Sequence, residues 1–248
     1  MTSPLVPDDS FPPGRLEPCY CGSGERFKHC CGANGNDRSP PVGIGIVEHY
    51  LSDQKCGELL ALAGTKEFDP FKVKDQQGNV SLDQTRVCER VVMGEDQGML
   101  DELVARAWTH IIESTGTGID FYEEPQLLKY NKDGFYYYHV DSSYLVPAQK
   151  AWRKAVDRDL SLLIYLESDF DGGELHFSRL NYHLKPKAGM LVWFPSDLRY
   201  EHAAKPVTRG TRYAIVSWAS ATGVEKVQEE RALRSIDWQT REKKQPPA

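Results

Sequence analysis

The chain has 248 residues, with 30 Lys plus Arg against 36 Asp plus Glu and a net charge of -6. That length accommodates one full domain and a small appendage, and the acidic balance argues against DNA as a partner, because phosphate contacts need clustered Lys and Arg. No apolar run approaches the ~20 residues that span a bilayer, and MTSPLVPDDSFPPG carries acids and prolines where a secretory leader would need a basic end. A cytoplasmic, reducing setting is the expectation.

Residues 1–15 are Pro-rich and expected to be flexible. PCYCGSGERFKHCCG follows, placing Cys19, Cys21, Cys30 and Cys31 in a C-x-C-x8-C-C pattern. Disulfides are disfavoured in a reducing setting, and adjacent Cys30 and Cys31 cannot bridge each other without strain. Four soft thiolates around a small loop suit tetrahedral Zn(II), with His29 an alternative to one of them, and so short a segment needs such a staple to fold. Gly22 and Gly24 permit the tight turn.

Residues 33–42 read as a linker, and 43–121 as a helical support and lid region. Within it VGIGIVEHYL predicts a strand, and Ser52 caps a helix over DQKCGELLALA that stops at Gly64. The stretch 71–95 contains a QQGN turn and reads as a hairpin or mobile loop. Its Arg86 and Arg90 read as solvated rather than as substrate contacts, while Cys56 and Cys88 read as buried small hydrophobes. Leu100, Leu103, Val104, Ala107, Trp108, Ile111 and Ile112 recur at helical spacing, and STGTG ends that helix.

From 122 to 220 the texture changes to short strands: QLLKYN, FYYYHVDS, LSLLIYLES, ELHFS, YHLKP, MLVWF, YEHAAKPV and TRYAIVSW. That density predicts a sandwich or barrel, so the fold class is mainly β with flanking helices. Residues 221–248 read as a polar helix, VEKVQEERALRSIDWQTREKK, with a fraying tail.

His139 and Asp141 are two apart in a predicted strand and would project from one face together with Tyr137, leaving Tyr136 and Tyr138 to pack on the other. An imidazole and a carboxylate make two of the three ligands of a 2-His-1-carboxylate triad, which suits Fe(II) and leaves open positions. The second His must come from elsewhere. His49 precedes the barrel and His110 lies in a helix, so neither is well placed. His202 is favoured because Arg212 follows it, with Trp218 on the face of Arg212; a guanidinium in an apolar barrel is costly unless it meets an anion. His176 and His183 have no such neighbour and read as strand or surface residues.

The span from roughly 124 to 218 resembles the catalytic core of 2-oxoglutarate- and Fe(II)-dependent dioxygenases of the prolyl 4-hydroxylase type. The resemblance rests on YNKDGFYYYHVD, LLIYLES, DGGELHFS, LKPKAGMLVWFP and EHAAKPVTRGTRYAIVSW, in that order. It implies a double-stranded β-helix, or jelly roll. It puts His139, Asp141 and His202 on iron, with Arg212 gripping the distal carboxylate of 2-oxoglutarate. It also implies that Tyr165 adds a hydroxyl to that carboxylate, that Tyr130 and Tyr136 line the pocket and that Trp218 walls it. Fe(II), 2-oxoglutarate and O2 are implied, with ascorbate as reductant, and succinate, CO2 and a hydroxylated C–H bond as products. ELHF departs from the family's Glu-Thr-x-Phe, and Glu167 stands where Asn is commoner; neither is an expected ligand. A degenerate jelly roll would keep the hydrophobic pattern and lose a ligand, whereas all three ligands and the Arg are present.

The cysteine segment, residues 16–32, resembles the SEC-C zinc motif of the SecA translocation ATPase. That resemblance implies Zn(II) and a docking role toward protein partners, in the translation or secretion machinery, with Arg15, Arg26 and Lys28 adding a local basic patch. A protein side chain, prolyl above all, is the expected substrate. A small metabolite, or a non-enzymatic jelly-roll sensor recruited through the zinc motif, are the alternatives.

Overall fold

The structure, a computed structural model, describes residues 6–7, 15–19, 24–30, 40–74, 80–82, 84–228 and 234–242. Helix α1 (Asp53–Ala63) starts where the Ser52 side chain accepts from the Lys55 N–H at 3.2 Å, which satisfies one of the orphan donors of its first turn. Helix α2 (Gln97–Thr115) ends at Gly116, whose left-handed backbone returns its N–H to the Ile112 carbonyl at 2.8 Å. The apolar stripe of α2 read from the sequence is buried, Trp108 and Ile111 completely so.

The larger sheet runs in the order Gly45–Val47, Leu191–Pro195, Leu160–Tyr165, Arg212–Ala221, Gln126–Tyr130, Glu89–Val91 and Phe68–Pro70, with antiparallel neighbours. Strand alternation gives it two different faces. Leu162, Ile164, Ile215 and Ala219 pack in one cluster with the two helices, whereas Tyr165, Ala214, Val216 and Trp218 face a second apolar cluster. The smaller sheet covers that second face, in the order Tyr182–Leu184, Leu175–Phe177, His202–Ala204, Phe135–His139 and Arg86–Val87. Two antiparallel sheets around one interior form the expected jelly roll, and the helices buttress only the larger sheet.

Three stretches differ from the sequence reading, whereas 71–95 contains the hairpin that was one of its two expectations. VGIGIVEHYL contributes only Gly45–Val47 to a strand. Lys72–Lys74 and Val80–Leu82 pair as a hairpin, whose turn lies outside the described residues. Of residues 1–15, expected to be flexible, Val6–Pro7 pair with Ala151–Trp152; Thr2, Ser3 and the other positions up to 14 lie outside the described residues, as does most of the linker.

Among the described residues the polar helix expected after 221 is also replaced, 229–233 and 243–248 lying outside them. The Asp157 carboxylate accepts the Val227 N–H at 2.8 Å and the Gln228 N–H at 3.2 Å, taking the donors a helix would use. Further on, Ser235–Asp237 adds a strand to Ile119–Glu123 and a short helix, α3 (Trp238–Glu242), follows. The physical reason is apolar: Trp238 is buried edge-on against Tyr122, centroids 6.1 Å apart. Truncating a buried Trp typically costs ~3–5 kcal/mol, so Trp238→Ala is expected to lower the chemical-denaturation midpoint by that equivalent. A solvated helix would leave the midpoint unchanged.

Candidate active site

Phe135–His139 and His202–Ala204 are neighbours in the smaller sheet, and their register brings His139 opposite His202. Asp141 lies in the bend just past the first of these strands. One ligand atom from each of His139, Asp141 and His202 lies within 4.8 Å of the others. His139 Nδ1 sits 2.7 Å from the Tyr137 carbonyl and His202 Nδ1 sits 2.9 Å from the Tyr200 carbonyl. A carbonyl accepts only, so both Nδ1 atoms carry protons and both Nε2 atoms present lone pairs. Those lone pairs face the Asp141 oxygens at 3.3 and 3.7 Å. Three acceptors converging with no proton between them form a site that a cation completes.

Electrostatics keep these groups in ligand form. Burial alone would raise the Asp141 carboxyl, but positive charge at the His202 and His139 rings, the part a bound cation would take, and the Ser161 hydroxyl hold it well below the usual carboxylate range. Ser161 Oγ donates to Asp141 Oδ2 at 2.6 Å and is itself 2.7 Å from Ser196 Oγ, a buried relay that orients the carboxylate. Burial, then His139, push His202 down to about 4, so it stays neutral at physiological pH.

The expected division of the aromatic strand needs one correction. A bulge falls between Tyr136 and His139, three residues apart on this strand against two on its partner, Ala204 and His202. The extra residue breaks the period of two. Tyr136 therefore shares the His139 face and stacks on its ring, centroids 3.6 Å apart, while Tyr137 is exposed. Tyr138 is also exposed, not packed in the core, and its hydroxyl meets His176 Nδ1.

Arg212, the first residue of the long strand, lines the same cavity. It is 2% exposed, donates to the Gly173 carbonyl at 2.9 Å and lies 3.9 Å over the Tyr130 ring. Gly172 and Gly173 present that carbonyl from a turn with positive φ at both, and a Cβ on Gly172 would fall 2.3 Å from the Pro206 carbonyl. Among the described residues no carboxylate pairs with Arg212, and its Nε has no partner. The buried Tyr165 hydroxyl likewise has none; burial pushes it up to about 12 against the opposing pull of Arg212, so it remains a donor. Tyr130 and Trp218 line the cavity as anticipated, with Leu128, Leu163 and Val216. An orphaned guanidinium and an orphaned hydroxyl in an apolar chamber fit a carboxylate.

Sequence reasoning missed three contributors. Ser161 and Ser196 were not singled out, since isolated serines in strands carry no signal. Arg86 was read as solvated, yet it lines the cavity, with its guanidinium 3.6 Å over Phe71 and 4.6 Å over Tyr136. The available signal was parity: Arg86 lies two before the buried Cys88. Arg90 pairs with Asp69 at 2.8 Å instead. Cys56 and Cys88 are buried as read, and Glu167 closes its turn by accepting the Ser168 and Asp169 N–H groups.

His176 and His183 stay out of the site as strand residues, stacked 3.8 Å apart across the smaller sheet. Burial first, then His183 and Lys205, push His176 down to about 4. Its folded value lies below its unfolded one, so the unfolded chain binds the extra proton and stability falls as pH drops from about 6.5 toward 4. His176→Gln is expected to flatten that part of the stability-versus-pH curve in urea titrations. An unaltered slope would place the titrating group elsewhere.

In the cysteine segment the structure describes Cys19 and Cys30; Cys21 and Cys31 lie outside the described residues. Neither described thiol is in a disulfide. Both pack on Phe27, and the Cys19 N–H bonds the Glu25 carbonyl at 2.7 Å, beside a bridge between Pro18 and Arg26.

A convergent triad of acceptors and a buried guanidinium with no carboxylate beside it among the described residues thus line one cavity between the two sheets. Residues 125–220 match the family described as the 2OG-Fe(II) oxygenase superfamily, and residues 17–33 match the SEC-C motif. The chain is 31% identical to rat prolyl 3-hydroxylase 1 over 183 residues, covering 70% of this chain and 24% of that protein. It thus spans about a quarter of that relative. Its fold matches a Pseudomonas putida prolyl-4-hydroxylase with a TM-score of 0.53 at 21% identity, over 73% of this chain and 94% of that one. It also matches a Trichoplax adhaerens prolyl hydroxylase, in complex with a hypoxia inducible factor oxygen degradation domain peptide fragment, with a TM-score of 0.56 at 19% identity, over 72% and 83% of the two chains. Residues 125–220 thus form a domain of the 2OG-Fe(II) oxygenase family, and the curated relatives and structural neighbours of the chain are prolyl hydroxylases. Among the described residues no helix is long and apolar enough to cross a membrane.

Proposed function

We propose that the protein is a 2-oxoglutarate- and Fe(II)-dependent dioxygenase that hydroxylates a C–H bond of a protein side chain, with proline first among the candidates. The observation that carries this reading is the acceptor-only triad sharing one cavity with a buried guanidinium that has no acid beside it. His139 and His202 would hold Fe(II) through Nε2, and Asp141 through its carboxylate. Bound iron supplies the redox chemistry by which O2 oxidises 2-oxoglutarate to succinate and CO2 and hydroxylates the C–H bond.

The rest is positioning by this chain. The Tyr137 and Tyr200 carbonyls fix the imidazole tautomers, and Ser161 fixes the carboxylate. Arg212 and Tyr165 would bind the distal carboxylate, with Tyr165 keeping its proton and donating. Tyr130 and Trp218 wall the chamber and exclude water, which strengthens each charge interaction inside. A protein substrate is supported by the prolyl hydroxylase relatives, which include both 3- and 4-hydroxylases. Exposed Tyr137, Tyr138, Tyr144 and Leu145 lie on the strands flanking Asp141, where a peptide backbone would pass.

Cys19, Cys21, Cys30 and Cys31 would close on Zn(II) and form a docking module for a protein partner, in the translation or secretion machinery of the cytoplasm. Ascorbate would be the reductant. One zinc per chain is expected, and Cys30→Ser is expected to lower it by elemental analysis while succinate release persists; full zinc retention would argue against the thiolate set.

The test of function is peptide mass spectrometry for a one-oxygen gain, in cells with and without the protein, alongside succinate release in a metal-controlled assay. Fragmentation would separate the 3 and 4 positions of proline. No succinate release under Fe(II) and 2-oxoglutarate would leave only the non-enzymatic sensor.

A further inference from the structure

Several cations in and beside the two sheets are neutralised by acids. Arg90 pairs with Asp69, Lys129 with Glu89, Arg158 with Glu123 and Arg209 with Asp171. Among the described residues, Arg86 and Arg212 have no carboxylate, and these two line the cavity. Among the described residues the one carboxylate on the cavity wall, Asp141, lies instead against the two imidazoles and Ser161.

Arg86 is held without being neutralised. Its guanidinium lies over Phe71 and Tyr136 at 3.6 and 4.6 Å, and its Nε donates to Cys88 Sγ at 3.2 Å. Aromatic faces and a thiol orient a guanidinium but bring no counter-charge, and a partly buried cation without one is costly. Tyr130 lies between the two arginines: Arg212 covers its ring at 3.9 Å, and both guanidiniums oppose the upward push of burial on its hydroxyl.

Arg86 also differs from Arg212 in its anchorage. Arg212 begins a ten-residue central strand that has neighbours on both sides, and pairs there with Tyr130. Arg86 sits in a two-residue strand at the edge of the smaller sheet, held through Phe135 and Tyr136 and by the Tyr137 N–H to the Thr85 carbonyl at 2.8 Å. Short, one-sided pairings open at low free-energy cost.

We propose that Arg86 is a second cationic contact for the acidic cosubstrate, so that binding 2-oxoglutarate ties the segment 84–91 onto the cavity. This rests on the functional reading above and assigns that site a second clamp from outside the strands that carry the triad and Arg212. A dianion then meets a cation site at one end and two guanidiniums at the other, and its binding closes the pocket wall by restraining an edge strand.

Calorimetric titration of 2-oxoglutarate into the full chain loaded with Mn(II) tests this without turnover. Arg86→Gln is expected to weaken binding about 10- to 100-fold, the effect of losing a charge-assisted hydrogen bond, and Arg86→Lys to recover part of it. In the wild-type chain, 2-oxoglutarate is expected to slow amide exchange across 84–91, and in Arg86→Gln it should not. Equal affinity in Arg86→Gln, or exchange across 84–91 indifferent to 2-oxoglutarate in the wild-type chain, would overturn the proposal. The wild-type exchange measurement decides alone if the Gln variant does not fold. Failure of the wild-type Mn(II) form to bind 2-oxoglutarate would remove the functional reading as well, whereas an unaffected Arg86→Gln removes only the role of Arg86.

Discussion

Asp141→Ala is expected to reduce iron loading and 2-oxoglutarate consumption by more than ~100-fold, because losing even an outer partner of a metal ligand costs 10–100-fold. Among the described residues the carboxylate is the only negative charge on the cavity wall, and it faces both imidazoles. Its loss leaves two neutral nitrogens, which bind a hard divalent cation weakly. The fold should survive. Asp141 lies in a bend after its strand, and Ser161 keeps Ser196 as a partner once the carboxylate is gone. Elemental analysis, succinate release and circular dichroism on one preparation check all three points. Full turnover with a stoichiometric metal in Asp141→Ala would refute the ligand assignment.

Arg212→Ala should separate cosubstrate binding from metal binding. Two charge-assisted hydrogen bonds to a carboxylate would be lost, so 2-oxoglutarate affinity is expected to fall about 100-fold or more while iron loading stays intact. Arg212→Lys should recover little, since an ammonium lacks the planar fork and the stacking on Tyr130. The direction of the stability change is the sharper readout. Arg212 is buried with no acid beside it among the described residues and bonds one carbonyl, from Gly173. Its desolvation is therefore uncompensated in the ligand-free protein, and removing it should leave the ligand-free melting temperature unchanged or raised. A structural arginine would lower it. Melting curves with and without 2-oxoglutarate decide between them: ligand-induced stabilisation should be present in the wild-type chain and absent from Arg212→Ala.

Much of this site was legible before any coordinates. The strand parity of TRYAIVSW put Arg212 and Trp218 on one face, and both line the cavity. A buried guanidinium in an apolar strand announces an anion because the cost of burying it is general. The helices were legible for a similar reason: Ser52 and STGTG act through local backbone groups, and the Trp108 stripe follows from helical period alone. Parity failed where a local irregularity reset it. The bulge before His139 turned Tyr136 onto the His139 ring and Tyr137 toward solvent, and nothing in FYYYH marks an extra residue. Arg86 was misread because the general tendency of charged residues toward solvent outweighed its parity with Cys88. The tail was misread because its polar composition hid one decisive tryptophan, Trp238, which needed Tyr122 from a distant strand to reveal its place.

By itself, then, the sequence determined which residues could form the chemistry, His139, Asp141, His202 and Arg212, and the strand-rich, two-faced pattern that buries them. Residue type and period are local properties, so they survive in the bare chain. Only the tertiary structure decided that His139 and His202 meet across paired strands, that Ser161 holds Asp141, and that Arg86 shares a chamber with Arg212. Those are contacts between segments far apart in the chain, set by sheet register and by which charges find partners, and no local pattern encodes them.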